Sequence, residues 1–218
     1  FEVTVAGTKY LGHSVIIATG ADTKWLDAPG VAKYVGRGVS SCAPCDAPFF
    51  KGKKVAVVGG GDSAMEEALT LAKYTTEVTI IHRRDAFRAS AAMQKKVSEE
   101  PKIKVLWNTE VKEVVGNDKV EKVLLINNKT NQESELVQDG IFIAIGHIPS
   151  TMIFSGKIEL DARGYVVVNE HTKTSVPGIF VAGDVHDYHY KQAVTAAGFG
   201  CMAAMDTIKY VEETKASG

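Results

Sequence analysis

The sequence predicts an α/β fold organised around a β-α-β unit, and three observations carry that prediction. The run "KKVAVVGGG" is a buried-strand pattern that stops on three glycines. From Asp62 to about Tyr74 the period becomes helical, with Met65, Ala68, Leu69 and Ala72 three and four residues apart and therefore on one face. "EVTIIHRR" then restores a buried strand, which gives the length that a right-handed crossover between parallel strands needs.

The flanking elements follow in order. Phe1 to Val5 and Ser14 to Ala18 read as a strand, a turn and another strand, and the second strand ends at Thr19-Gly20. Beyond the β-α-β unit comes a basic helical stretch, Ala86 to Val97. A β-meander of "IKVLWN", "EVKEVVG", "VEKVLLINN" and "GIFIAIG" follows it. "GYVVVNE" and "VPGIFVAGD" read as further strands. A long helix over Ala193 to Val211 aligns Val194, Ala197, Cys201, Met205 and Ile208 in one stripe. The chain opens at Phe1 with a strand already under way, so we expect the sequence to begin inside a domain.

Composition narrows the function classes. In 218 residues, 25 basic and 26 acidic side chains leave a formal charge of −1, which disfavours a polyanion-binding surface and hence nucleic acid. No apolar run approaches a membrane span. Three cysteines are too few for a secreted disulfide framework, which points to a reducing compartment and a cytoplasmic location.

"VVGGGDSAMEEA" places Gly59, Gly61 and Ala64 in G-x-G-x-x-A spacing between strand and helix. The first glycine permits the tight turn and the second admits a pyrophosphate. The small third residue lets helix and strand pack closely. Gly60, Asp62 and Ser63 complete the turn, where the helix N-terminus offers N–H groups to phosphate. The next strand ends in "HRRDAFR" rather than in the acidic residue that reads a ribose 2′-hydroxyl. His82, Arg83, Arg84 and Arg88 therefore predict a 2′-phosphate, hence NADPH, because guanidinium forks match phosphate oxygens.

Cys42 and Cys45 in "SSCAPCDAPFF" could be metal ligands, a clip or a redox dithiol. Zinc needs four ligands, and the only other cysteine, Cys201, lies on the apolar stripe of a helix and reads as a buried core thiol. A hydride carrier delivers two electrons, which is what opening one disulfide consumes, so the dithiol reading prevails. Asp46, next to Cys45, is either a proton donor to the leaving thiolate or a turn cap. Hydride and thiolate chemistry usually need a flavin between them. "VIIATGA" and "IFVAGDVHDYHYKQAVTAAGFG", at opposite ends of the chain, are the candidate segments for one.

Taken together, these motifs resemble the low-molecular-weight thioredoxin reductases over essentially the whole chain. The resemblance rests on A-T-G-A from Ala18, C-A-P-C-D from Cys42, G-G-G-D-S-A from Gly59 and H-R-R-D-A-F-R from His82. A-I-G-H-I-P from Ala144, A-G-D from Ala182 and K-Q-A from Lys191 complete it. It implies two Rossmann-like three-layer nucleotide-binding domains, with the NADPH domain (22–145) inserted into an FAD domain (1–21 and 146–218). It implies a homodimeric FAD enzyme passing electrons from NADPH through flavin to Cys42–Cys45 and on to thioredoxin, with the NADPH domain rotating between states. Cys45 would face the flavin, Cys42 would attack the partner disulfide, and Asp46 would be the acid. Ala18, Thr19, Gly20, Gly183, Asp184, Lys191, Gln192 and Ala193 would line the FAD site. The family's first G-x-G-x-x-G is expected upstream of Phe1. Pro44, Ala47 and Lys191 depart from the usual threonine, glycine and arginine. His147 reads as a loop histidine returning toward the FAD domain, and His186 and His189 as neighbours of the flavin or of a dimer surface.

Overall fold

A computed structural model describes residues 1–216. The chain divides into two compact units, one formed by Phe1–Asp22 with His147–Gly218 and the other by Thr23–Gly146. The first segment carries β1 (Glu2–Val5), β2 (Thr8–Leu11), β3 (Val15–Ile17) and β4 (Ala21–Thr23). The middle unit adds β5 (Val39–Ser40), α1 (Ala43–Asp46), β6 (Lys54–Val58), α2 (Asp62–Ala72), β7 (Glu77–Ile81) and α3 (Ala91–Glu99). It continues with β8 (Ile103–Leu106), β9 (Thr109–Gly116), β10 (Val120–Asn127), β11 (Glu133–Val137) and β12 (Gly140–Ile143). The last segment holds β13 (His147–Pro149), β14 (Ile179–Val181) and α4 (Ala193–Ala216).

The middle unit is a three-layer α/β structure. Its five-stranded sheet runs β5-β12-β6-β7-β8, and each pairing is parallel. Parallel strands are covered on both faces, which explains why these runs are apolar at nearly every position. Alternation sorts those positions between two cores. Val55, Val57, Val78, Ile80 and Phe142 point to the helical side, against Met65, Ala68 and Leu71 of α2 and Val97 of α3. Ala56, Val58, Ile81, Ile141 and Ile143 point the other way, against Val114, Val120, Val123 and Leu125 of the antiparallel sheet β11-β10-β9. Each fully buried aliphatic side chain contributes about 1.5–3 kcal/mol, so the sheet is anchored from both sides.

In the other unit β3 and β14 pair in parallel, Val15 opposite Ile179 and Ile17 opposite Val181. Ile17 and Val181 pack with Ile158, Val166 and Val185 on one side. Phe180 and Ala182 face Ala203, with Phe199 and Tyr210, on the other. β1 and β2 form a hairpin whose turn, Ala6-Gly7, has both residues left-handed (φ 47° and 83°), the geometry that matches strand twist.

Several expectations change. The anticipated meander is not one sheet: β8 and β12 join the parallel sheet, and β9–β11, including the unanticipated Glu133–Val137, form the antiparallel one. "GYVVVNE" makes only isolated bridges, Leu160 to Val166 and Glu170 to Lys173, rather than a strand. The helix expected from Ala86 begins at Ala91, because the N–H groups of Arg88 and Ala89 are taken by Gly60 O instead of by a helical turn. The stripe on α4 is exposed, with Val194 at 83% and Met205 at 66%, because α4 packs through Phe199, Ala203 and Tyr210 on a different face. Cys201 shares that exposure and is a free surface thiol, not a core one.

Candidate functional site

Cys42 and Cys45 form a disulfide, Cys45 exposed and Cys42 half-buried. β5 delivers the pair: Val39 and Ser40 pair with Ile141 and Phe142 at the edge of the parallel sheet, and the chain then turns into α1. Pro44 is tolerated in that first turn, where helical N–H groups have no partner within the helix. Ala43 and Ala47 are fully buried among Val57, Met65 and Ala68, so small residues there seat α1 on the core. The buried Ser40 hydroxyl donates to Asp46 Oδ2 at 2.6 Å and accepts from the Cys42 N–H at 3.1 Å. Glu67 of α2 accepts the Ala43 N–H at 2.5 Å. Neither Ser40 nor Glu67 belongs to a motif that the sequence displays.

The same unit holds the glycine turn between β6 and α2. A side chain on Gly59 would place Cβ 2.4 Å from Ala144 O and 2.7 Å from Ala64 Cβ, so strand, turn and helix meet without room for one. On Gly60 a Cβ would lie 2.2 Å from the His82 ring, whereas at Gly61 it would enter open space. That open side of the turn fits a pyrophosphate, which needs close backbone approach. Intrahelical bonding starts at Ala64 N to Gly61 O, so the N–H groups of Gly61, Asp62 and Ser63 precede it.

His82 is buried (6% exposed) under Gly60, and its Nε2 pairs with Ala86 O at 3.0 Å. It shapes the turn from beneath rather than presenting its ring to solvent. Arg83, Arg84 and Arg88 are exposed on the loop after β7. Asn128 Nδ2 donates to Arg83 O at 2.8 Å, and the Asn108 N–H donates to Arg84 O at 3.1 Å. Asp62 Oδ1 accepts from both Ser90 N and Ser90 Oγ, which ties the far end of that loop to the glycine turn. Three guanidinium groups therefore stand on a backbone held from both sides.

In the other unit a cleft of about 270 Å³ is lined by Ala18, Gly20, Ala182, Gly183, Asp184, Gln192, Ala193, Ala196 and Gly200. Gly183 is left-handed (φ 76°), which a residue with Cβ rarely adopts. Asp184 Oδ1 is buried without a hydrogen-bond partner. Burial, reinforced by the charge of Asp187, holds the Asp184 carboxyl above its usual range. Burial also pushes His186 below the usual imidazole range, against the pull of Asp187 and Asp184. Burial works against ionisation of Asp187 too, but the N–H groups of Tyr190, His189 and Lys191 outweigh it and hold Asp187 low. Walls of alanine and glycine with one unsatisfied acceptor fit a flat ring system carrying hydroxyls, as FAD does. Two expected members of this site are engaged elsewhere: Thr19 Oγ1 donates to Ser150 O at 2.8 Å, and Lys191 Nζ donates to Tyr188 O. His147 lies half-buried, which lowers its pKa together with the nearby Lys191 charge. Among the described residues no cluster of three or more His, Cys, Asp or Glu could hold a metal ion, and no helix is long and apolar enough to cross a membrane.

Residues 2–200 match the model of the pyridine nucleotide-disulphide oxidoreductases. The chain belongs to that family. Within this oxidoreductase family it is 49% identical over 214 residues to a thioredoxin reductase of Rickettsia felis, covering 96% of this chain and 69% of that protein. It is 48% identical to a thioredoxin reductase of Debaryomyces hansenii, covering 93% of this chain and 64% of that one. The crystal structure of a thioredoxin reductase from Streptococcus pyogenes superposes with a TM-score of 0.90 at 41% identity, over 97% of this chain and 70% of that one. The chain thus spans 64–69% of the length of these two curated relatives. Membership fits the architecture described above, two Rossmann-type units with a Cys42–Cys45 disulfide, and the family uses FAD and a pyridine nucleotide.

Proposed function

We propose that this chain carries the dithiol, the NADPH-binding region and part of the FAD-binding region of an NADPH-dependent thioredoxin-disulfide reductase. One observation carries the reading: the Cys42–Cys45 disulfide and the glycine turn with its arginine loop belong to a single compact unit. A two-electron carrier and a two-electron acceptor are thereby built on one scaffold. The net reaction balances as NADPH + H⁺ + thioredoxin disulfide giving NADP⁺ + thioredoxin dithiol. The names of the relatives support thioredoxin as the protein partner.

The open side of Gly61 and the N–H groups beginning α2 receive the pyrophosphate, and Arg83, Arg84 and Arg88 receive the 2′-phosphate. Residues 23–146 form the NADPH unit, and 1–22 with 147–216 the FAD unit. Asp184, Gly183, Gln192 and Ala193 would hold the flavin, with Ala18 and Gly20 across the cleft. A flavin bound there supplies the exchange between hydride and thiolate chemistry. Cys42, at the start of α1, attacks the partner disulfide, and Cys45 closes on Cys42 to release reduced thioredoxin. Asp46, oriented by Ser40, gives the leaving thiolate its proton. The active enzyme is a homodimer acting in the cytoplasm.

The test is thioredoxin reduction by the purified full-length protein with NADPH and with NADH, alongside its visible spectrum. A flavin band and NADPH-driven turnover are expected, and Cys45→Ser should abolish turnover while NADPH still binds. A protein without flavin, or a Cys45→Ser variant that still reduces thioredoxin, would overturn the reading. Activity on a peroxiredoxin or a small dithiol but not on thioredoxin would reassign the partner.

A further inference from the structure

Phe87 lies inside the arginine loop, between Arg84 and Arg88, and is half-buried against the core on the helical side of the parallel sheet. Its ring centroid is 4.3 Å from that of Trp107, at a tilt of 49°. His82 completes a triangle of rings, 5.4 Å from Phe87 and 6.0 Å from Trp107. Each ring belongs to a different piece of chain: His82 ends β7 under Gly60, Phe87 sits in the loop, and Trp107 turns the corner between β8 and β9. That corner is fixed at several points. Trp107 O accepts from the buried Thr109 hydroxyl at 2.8 Å, and Asn108 reverses the chain in the left-handed region (φ 52°). The Asn108 N–H donates to Arg84 O, and Asn108 O accepts the Asn128 N–H at 2.7 Å. The arginine loop is therefore moored at its start through the Arg83 and Arg84 carbonyls, and at its far end through the Arg88 and Ala89 N–H groups on Gly60 O. Asp85 and Ala86 between the moorings are exposed, and the His82–Ala86 bond and the Phe87–Trp107 stack hold that span. Trp107 is 37% exposed, so it closes the triangle from the solvent side.

We propose that Trp107 is a positioning residue for coenzyme selection: by holding Phe87, it keeps Arg84 and Arg88 in the arrangement that receives a 2′-phosphate. Trp107 does this without touching the coenzyme. An aromatic pair of this kind is worth about two- to tenfold in an equilibrium constant beyond the area it buries. Without the pair, a share of the loops leaves the binding-competent arrangement, and apparent affinity falls in proportion to the share that remains. Only a coenzyme that uses the arginines suffers that loss. The role rests on the reading of Arg83, Arg84 and Arg88 as the 2′-phosphate site, and the coenzyme preference of the parent protein tests that reading separately.

The experiment measures NADPH and NADH binding to the full-length protein by calorimetry, in the parent and in variants. Trp107→Ala should weaken NADPH about three- to tenfold and NADH by less than about twofold. Trp107→Phe, which restores a ring, should return NADPH binding to within about twofold of the parent. Trp25→Ala, which removes the chain's other tryptophan from the same unit, should leave the NADPH-to-NADH ratio unchanged. Equal weakening of both coenzymes by Trp107→Ala would mean that the indole contacts a part they share, and would overturn the proposal. An unchanged ratio, no rescue by Trp107→Phe, or the same split in Trp25→Ala would overturn it too, while a parent preference for NADPH leaves the arginine reading standing. A parent that binds both coenzymes equally would remove the 2′-phosphate reading and this role with it. Should Trp107→Ala not fold, Trp107→Leu keeps apolar bulk without the ring and should show the same split. A ratio unchanged there would overturn the proposal equally.

Discussion

Ser40 Oγ lies 2.6 Å from Asp46 Oδ2, and the same oxygen accepts the Cys42 N–H at 3.1 Å. One buried hydroxyl thus links the backbone of the first sulfur-bearing residue to the carboxylate beside the second. Ser40→Ala leaves that N–H uncapped and Asp46 free to rotate, at a cost of about 1–2 kcal/mol in stability. Thioredoxin reduction should fall about tenfold, the size of a misplaced acid–base group, while NADPH affinity is unchanged. Steady-state rates beside calorimetric NADPH binding check this. Equal losses in both would mean that Ser40 only holds the fold.

Gly60 and His82 should be energetically coupled. A Cβ at Gly60 would meet the His82 ring at 2.2 Å, so Gly60→Ala must displace that ring or the turn. Overpacking of this kind costs about 1–3 kcal/mol. In the double variant Gly60→Ala/His82→Ala, denaturant unfolding should show a total at least about 1 kcal/mol below the sum of the singles. Strict additivity would mean that the turn, not the ring, gives way.

The arginine loop should read the phosphate that distinguishes the two nicotinamide coenzymes. Arg83→Ala/Arg88→Ala removes two charge-assisted contacts of about 1.5–3 kcal/mol each. Calorimetry should show NADPH binding weakened by at least about a hundredfold, and NADH binding by no more than about twofold. Equal loss for both would place these arginines outside the 2′-phosphate site.

Asp184 should trade stability for binding. Burial and the charge of Asp187 raise its folded-state pKa above the unfolded value, so the fold favours the neutral acid. The stability this gives is full below the unfolded carboxylate range, about pH 3.9, and is lost as pH rises through the raised folded value. Asp184→Asn removes the buried charge and should stabilise the protein at pH 7.5 by on the order of 1 kcal/mol. The gain should shrink as pH falls toward 4. The same variant should lose flavin, read as absorbance of the purified protein. A variant less stable than the parent at pH 7.5 would show that the charge is compensated.

The glycine turn and the Cys-x-x-Cys pair were legible because each is local: strand, three glycines and helix are contiguous, and so are the two sulfurs and their aspartate. Ser40 and Glu67 were not, since nothing about a serine before the pair or a glutamate in α2 announces which N–H it will accept. Residues 86–90 looked helical by composition, yet Arg88 and Ala89 donate to Gly60 O, a tertiary contact that outweighs local propensity. Glu133–Val137 escaped notice because "ESELV" has little apolar alternation, and it becomes a strand only by pairing with β10. The α4 stripe misled for a related reason. Apolar spacing marks a face as buriable, and Phe199, Ala203 and Tyr210 were the residues that found partners within their unit.

The Lys24 N–H donates to Gly146 O at 3.0 Å, so the middle unit closes at its own two ends. A segment whose entry and exit meet is portable in the engineering sense. Residues 23–146 should therefore fold when expressed as a single cassette, and the seam marks where a replacement module with its own closed ends would be joined.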